Sequence, residues 1–214
     1  MGRRALRKID PGLDLSGVLV RLEELPEPLD PAVLFGRAAP LEIEIGSGKG
    51  LFMTTAPLAE PAHDFLGIEI SPRYARFAAA RIVRRGIANA RIIEGDAVRL
   101  FTSRLPAACA AAVHVYFPDP WWKQRHKKRR VMTPAMAAAI QRCLVSQGTL
   151  HFWTDVEEYF QTTLDLVGKE TSLAGPFTER QLPAEHDLDY RTHFERRARL
   201  VGQTVYRAVF RKHQ

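Results

Sequence analysis

The chain reads as an α/β protein with a parallel sheet covered by helices on both faces. Three observations predict this. Short apolar runs of strand composition alternate with helix-length amphipathic stretches between residues 40 and 167, the pattern of successive βα units. Gly46-Ser47-Gly48-Lys49-Gly50 directly follows the first such run, as a strand–turn–helix junction requires. Acids also stand where successive runs end: Glu44, Glu69, Asp96, Asp119 and Asp155. Open parallel sheets bind their ligands at that edge.

Residues 1–39 are weakly patterned and are interrupted by Pro26, Pro28, Pro31 and Gly36; Arg3, Arg4, Arg7 and Lys8 suggest a loose basic arm. Order is expected from Pro40. Leu41-Glu42-Ile43-Glu44-Ile45 alternates apolar and acidic residues as a strand does, and a helix is predicted from Leu51 to about Glu60. Residues 65–70 form the second predicted strand. The spacing of Tyr74, Phe77, Ala78, Arg81 and Ile82 predicts an amphipathic helix over 72–85, ended by Gly86. Ala90 to Ile93 is the third strand and Ala110 to Phe117 the fourth. Thr133-Pro134 reads as a helix cap followed by proline in the first turn, with the helix reaching about Val145. Thr149 to Thr154 is the fifth strand, and Asp155 is placed to cap a helix over about 157–167. Residues 203–211 form a last strand. The segment from Thr171 to Asp189 is the longest irregular stretch, long enough to be a functional loop.

The 214 residues suffice for one sizeable domain, and 26% charged residues with 46% hydrophobic ones are ordinary for a globular protein. The net charge of +7 favours a polyanionic partner. That excess is concentrated in residues 121–130, which contain no acid. Cys109 and Cys143 lie far apart and form no metal-ligand spacing, and the seven histidines show none. No metal is expected, and a reducing, cytoplasmic setting is the simplest. No apolar run approaches the ~18 residues of a membrane span.

The chemistry-bearing stretch is Tyr116-Phe117-Pro118-Asp119-Pro120-Trp121-Trp122, followed by Lys123, Arg125, His126, Lys127, Lys128, Arg129 and Arg130. Prolines on both sides restrict Asp119. Tryptophans can stack on bases and cations can hold phosphates. The Gly46-x-Gly48-x-Gly50 spacing is one residue shorter than the dinucleotide fingerprint, and it supplies no phosphate-binding Gly-Lys-Ser/Thr. It suits a nucleoside ligand without a pyrophosphate. Glu69 stands where an acid accepts ribose hydroxyls, and acidic surroundings favour a cationic ligand.

These motifs together, from Glu44-Ile-Gly-Ser-Gly-Lys-Gly through Leu66-Gly-Ile-Glu, Gly95-Asp-Ala, the 117–130 block and Trp153-Thr-Asp to Thr192-His-Phe-Glu, resemble the bacterial tRNA (guanine-N7)-methyltransferases. The resemblance covers about residues 33–212. It implies a Rossmann-like class I methyltransferase with a seven-stranded, mostly parallel sheet and a reversed last hairpin. It also implies a single domain over 33–214, preceded by a partly flexible arm over 1–32. Methyl transfer from S-adenosyl-L-methionine to N7 of guanosine 46 in the tRNA variable loop is the implied reaction. Glu44, Gly46, Gly48, Glu69, Asp96, Ala97 and Asp119 would line the cofactor site, with Asp119 as the catalytic acid. Lys123, Asp155, Thr192, His193, Phe194 and Glu195 would contact substrate. Arg125, His126, Lys127, Lys128, Arg129 and Arg130 would bind tRNA. A base-amino methyltransferase and an RNA-binding module without catalysis are the alternatives. Whether the protein is a monomer or a homodimer stays open.

Overall fold

The computed structural model describes residues 6–179, 181 and 183–213; Arg3 and Arg4 of the expected basic arm lie outside them. The elements are β1 (Leu19–Arg21), α1 (Pro31–Phe35), β2 (Leu41–Ile45), α2 (Ala56–Ala59), β3 (Asp64–Glu69), α3 (Pro72–Arg84), β4 (Ala90–Glu94), α4 (Ala97–Arg99), β5 (Ala110–Tyr116), α5 (Pro134–Cys143), β6 (Leu144–Thr154), α6 (Glu157–Glu170), β7 (Ala174–Phe177), α7 (His193–Leu200) and β8 (Tyr206–Arg211). Among the described residues the strands make one sheet in the order β1-β4-β3-β2-β5-β6-β8-β7. The first six of these lie parallel, β8 is antiparallel to β6, and β7 is antiparallel to β8.

Strand alternation sorts the side chains into two layers. Leu41, Ile43 and Ile45 of β2, Leu66 and Ile68 of β3, Val113 and Val115 of β5, and Leu150 and Phe152 of β6 belong to one core with residues of α5 and α6. The intervening positions face α3, whose alanines 75, 78 and 79 allow close approach to the sheet. Glu42, His114 and Tyr116 also occupy this second face, joined by hydrogen bonds. His114 Nε2 lies 2.8 Å from Glu42 Oε2, its Nδ1 lies 2.9 Å from the Tyr116 hydroxyl, and His63 Nδ1 lies 2.7 Å from Glu42 Oε1. Burial pushes His114 down to about 4, so at neutral pH its ring is neutral and donates to Glu42 from Nε2. Glu42, one of the two acids of the alternating β2 pattern, is therefore satisfied inside the protein rather than solvated.

The sheet has eight strands rather than the expected seven. The extra one is β1, which pairs with β4 at Leu19↔Ile92. Residues taken as a loosely patterned arm thus enter the core through Leu15, Val18, Leu22, Leu25 and Leu29. A three-residue strand between prolines carries too little periodicity to be read. Gly95 makes room for it: a Cβ there would meet the Leu22 Cβ at 2.5 Å. The helix expected over 51–60 is a 3-10 turn, Phe52–Thr54, followed by the short α2. Pro57 lacks an N–H and is tolerated only in a first helical turn, so the helix restarts there. β6 begins at Leu144 and leaves α5 shorter than expected. Part of the stretch expected to be irregular forms β7, and the charged α7 had no readable apolar stripe.

Candidate active site at the sheet switch point

The chain runs outward from β2 to β3 and β4, then returns to place β5 on the other side of β2. The loops leaving β2 and β5 therefore emerge side by side, at the topological switch point where open α/β sheets bind ligands. Those loops are Gly46–Gly50 and Phe117–Pro120.

Gly46, Gly48 and Gly50 all have positive φ, at 79°, 52° and 68°, which favours glycine. Gly50 is also sterically required, since a Cβ would stand 2.7 Å from that of Ala78. The glycine in Leu66-Gly67-Ile68-Glu69 has a different reason: its missing Cβ leaves room for the Ser47 hydroxyl. Glu69 ties the loop to α3, its Oε2 accepting from Gly48 N and its Oε1 from Ser71 N, both at 2.8 Å. Asp96 caps α4 through Val98 N at 2.8 Å, with Ala97 as the first helical residue.

Glu44 is buried. Its Oε2 and the nearby Ser47 hydroxyl have no partner. Burial pushes the carboxyl up to about 8; Ser47 offsets part of this and the charge of Glu69 adds to it. An unpartnered acid beneath a glycine loop, with clear space where a Cβ of Gly46 would be, fits a small cationic ligand bearing hydrogen-bond donors.

Asp119 is exposed on the corner after β5, held between Phe117 and Trp121, whose φ values of 49° and 47° are left-handed. Such conformations are uncommon for non-glycine residues and cluster at functional sites. The corner forms one wall of a cleft of about 230 Å³, lined by Phe117, Pro118, Asp119, Pro120, Trp122, Asp155, Val156, Phe194, Arg197 and Gln203. Three residues singled out from sequence, Asp119, Asp155 and Phe194, meet there. Phe117 and Phe194 lie face to face with ring centroids 6.1 Å apart. Asp155 does not cap α6: Val156 occupies that position and donates to Thr154 Oγ1. Asp155 instead faces the cleft and accepts from Gln203 Nε2 at 3.2 Å.

The basic run divides into two groups. Lys123, Arg125 and Lys128 are exposed, and among the described residues none has an ion-pair partner. Arg129 lies over the Trp121 ring at 5.0 Å, with His126 edge-on to the same ring at 6.0 Å. Lys127 pairs with Glu158 at 2.7 Å. Arg130, expected to contact tRNA, is only 8% exposed. Its Nε donates to the Pro120 carbonyl at 2.8 Å, its Nη2 pairs with Glu158 Oε2 at 2.6 Å, and its guanidinium covers the Tyr159 ring at 4.3 Å. It thus braces the corner from behind, and its hydrogen bonds hold Glu158 down at about 2, with that of Lys127 contributing. In sequence Arg130 is indistinguishable from its neighbours because burial has no local signature.

The Thr192-to-Glu195 tetrad is also divided. Thr192 caps α7, its Oγ1 accepting from Glu195 N at 3.0 Å. Glu195 is 3% exposed and pairs with Arg199 at 3.2 Å and Arg207 at 3.1 Å. These two side chains build the helix and seat it on the sheet, while His193 and Phe194 project from it. Trp122, read from the sequence as a stacking surface, also lines the cleft, whereas Arg197 and Gln203 escaped the sequence reading. Arg197 had a signal, since it lies one helical turn beyond Phe194 and its guanidinium covers that ring at 4.8 Å; Gln203 had none. Among the described residues no group of His, Cys, Asp and Glu is arranged to hold a metal ion, and no helix is long and apolar enough to cross a membrane.

Comparison with known proteins accords with this geometry. A family model described as "Putative methyltransferase" matches residues 38–208. The tRNA (guanine-N(7)-)-methyltransferase of Rhodopirellula baltica is 48% identical, over 99% of this chain and 80% of its own. The proteins of the same name from Methylococcus capsulatus and Cupriavidus necator are 40% and 39% identical, over 86% and 94% of this chain and 79% and 76% of theirs. Among solved structures, the aminoglycoside resistance methyltransferase NpmB1 superposes with a TM-score of 0.54 at 18% identity, over 81% of this chain and 87% of its own. A TehB-like SAM-dependent methyltransferase from Corynebacterium glutamicum gives 0.51 at 16%, over 81% and 80%. These structures share the Rossmann-like class I fold, and the sequence relatives establish that the chain belongs to the tRNA (guanine-N7)-methyltransferase family.

Proposed function

We propose that the protein transfers a methyl group from S-adenosyl-L-methionine to N7 of guanosine 46 in the variable loop of tRNA, in the cytoplasm. The observation that carries this reading is the cleft in which Asp119, Asp155 and Phe194 meet, on the corner that leaves β5 next to the strand that carries the glycine loop. Glu44, Gly46, Gly48, Glu69, Asp96 and Ala97 would hold the cofactor, with Glu44 and Glu69 facing its cationic end and its ribose. The cofactor supplies an electrophilic methyl group on a sulfonium. Guanine N7 has a lone pair and no proton, so no general base is needed before attack.

The remaining demands are alignment and charge, and the residues match both. Phe194 and Trp122 offer apolar surface for an extruded base. Asp119 and Asp155 supply acceptors for guanine N–H groups, which selects guanine. As positive charge passes to the guanine ring, the Asp119 carboxylate, on a corner held rigid by Pro118 and Pro120, stabilises it without reorganising. Lys123, Arg125, Lys128 and Arg129 orient the RNA through its phosphates.

The test is incubation with an unmodified tRNA transcript and methyl-labelled cofactor, followed by nucleoside analysis. Labelled 7-methylguanosine that disappears when guanosine 46 of the transcript is replaced by adenosine is the expected result. Label in another nucleoside refutes the reaction, and label retained in the substituted transcript refutes the position.

A further inference from the structure

A second basic cluster lies on the face of α7 next to the one that lines the cleft, and no step above uses it as a group. Phe194 and Arg197 face the cleft. His193, offset around the helix from Phe194, faces Arg81 of α3, and Arg196 follows it three residues on, on the same side of the helix. Arg81 of α3 donates from Nη1 to the Lys49 carbonyl at 2.7 Å, which ties α3 to the loop, and the same nitrogen lies 3.5 Å from His193 Nε2. Basic side chains of α3 and α7 thus meet, and the charges of Lys49 in the glycine loop and of Arg196 lie near enough to act on His193. Among the described residues neither Lys49 nor Arg81 has a carboxylate partner, and Arg196 pairs at 2.6 Å with Asp187, whose side chain is 73% exposed.

The electrostatics agree with that geometry. His193 is solvent-exposed as a residue, yet its imidazole is pushed down to about 4 by partial burial and by the charges of Arg81, Lys49 and Arg196, with Asp187 opposing. Its ring is therefore neutral at physiological pH. Converging cations with so little compensation repel one another. An oxyanion placed among them would relieve the repulsion and receive several charge-assisted hydrogen bonds.

We infer that Lys49, Arg81, His193 and Arg196 form an oxyanion subsite that holds a phosphodiester of the substrate RNA beside the target nucleoside. The inference rests on the tRNA reading above. Position favours a phosphodiester flanking the extruded base, because His193 and Phe194 are consecutive and the subsite borders the cleft. The carboxylate of the cofactor is the other oxyanion source near the glycine loop, and the two make different predictions. A phosphate subsite on α7 would pull the helix towards the glycine loop when RNA binds and press Phe194 against the base.

The test uses the full chain with Lys49→Gln, with Arg196→Gln and with both. Arg81 is left intact because it anchors the Lys49 carbonyl. Binding of an unmodified tRNA transcript is followed by fluorescence anisotropy at several salt concentrations, and binding of S-adenosylhomocysteine by calorimetry. Each single change is expected to weaken tRNA binding by about fivefold. The double change should lower the slope of log affinity against log salt by about one, the value for one phosphate contact. Cofactor-product affinity should stay within about twofold. Unchanged tRNA affinity and slope overturn the subsite. Lost S-adenosylhomocysteine affinity with intact tRNA binding assigns the cluster to the cofactor carboxylate and overturns the RNA assignment. Methyl transfer is read separately: unaltered protein that binds tRNA but forms no 7-methylguanosine refutes the reaction, while the binding comparison still decides the subsite.

Discussion

Arg130 is the residue on which sequence and structure disagree most, and its replacement separates the two readings. Arg130→Met removes the donor to the Pro120 carbonyl and the pairing with Glu158. The carbonyl bond contributes about 1 kcal/mol, and leaving its acceptor unpaired adds about 1 kcal/mol more. Glu158 is 46% exposed and resolvates once freed, so the ion pair itself adds less than about 1 kcal/mol. The total of about 2–3 kcal/mol lowers Tm by about 4–12 °C for a chain of this length. Catalysis should suffer more than stability. A displacement of about 1 Å in a positioned group costs about 100-fold, and the corner would lose its brace one residue from Asp119. The assay is methyl transfer to tRNA with kcat and KM separated, beside tRNA affinity as a function of salt. We expect kcat to fall about 100-fold with the salt slope unchanged. Arg130→Lys should behave similarly, since an ammonium cannot reproduce the planar fork. Normal kcat with weakened tRNA binding and a salt slope reduced by about one would refute the bracing role and restore Arg130 as a phosphate contact.

Three further outcomes are expected. Asp119→Asn should keep the fold, with Tm within about 2 °C, and lower kcat by at least about 100-fold; near-normal turnover removes Asp119 from the chemistry. Glu44 should make cofactor binding proton-linked. Its folded pKa of about 8 lies above the ordinary value of 4.5, so its contribution to stability is full below about pH 4.5 and is lost as pH rises through about 8. A cationic ligand favours the ionised form, so binding at pH 7 should release up to one proton. Calorimetry in buffers of different ionisation enthalpy measures this, and Glu44→Gln should abolish the buffer dependence. Leu22→Ala should cost about 2–5 kcal/mol, because Leu22 is fully buried against Gly95; an unchanged Tm would return residues 15–29 to the status of a dispensable arm.

Much of the scaffold was legible because it is written in short-range patterns. The alternation of Leu41 to Ile45, the apolar runs over 65–70 and 110–117, the Thr133-Pro134 cap and the helix ended by Gly86 are all read within a few residues, and all of them stand. What failed was short, interrupted or dominated by charge. β1 has three residues, Pro57 restarts a helix, and α7 buries only Glu195 and Ala198.

The sequence by itself determined which chemical groups are present and which loops carry them. Three glycines follow one strand, an acid sits between two prolines, and a basic run follows two tryptophans. Chain connectivity and local sterics impose these features, so they survive any arrangement of the distant parts. Only the tertiary structure decided what those groups do. It set Asp119, Asp155, Phe194 and Gln203 around one cleft. It buried Glu44 without a partner, and it turned Arg130 and Glu195 inward while leaving Lys123, Arg125 and Lys128 in solvent. Burial and long-range pairing depend on residues tens of positions away, and no local pattern encodes them.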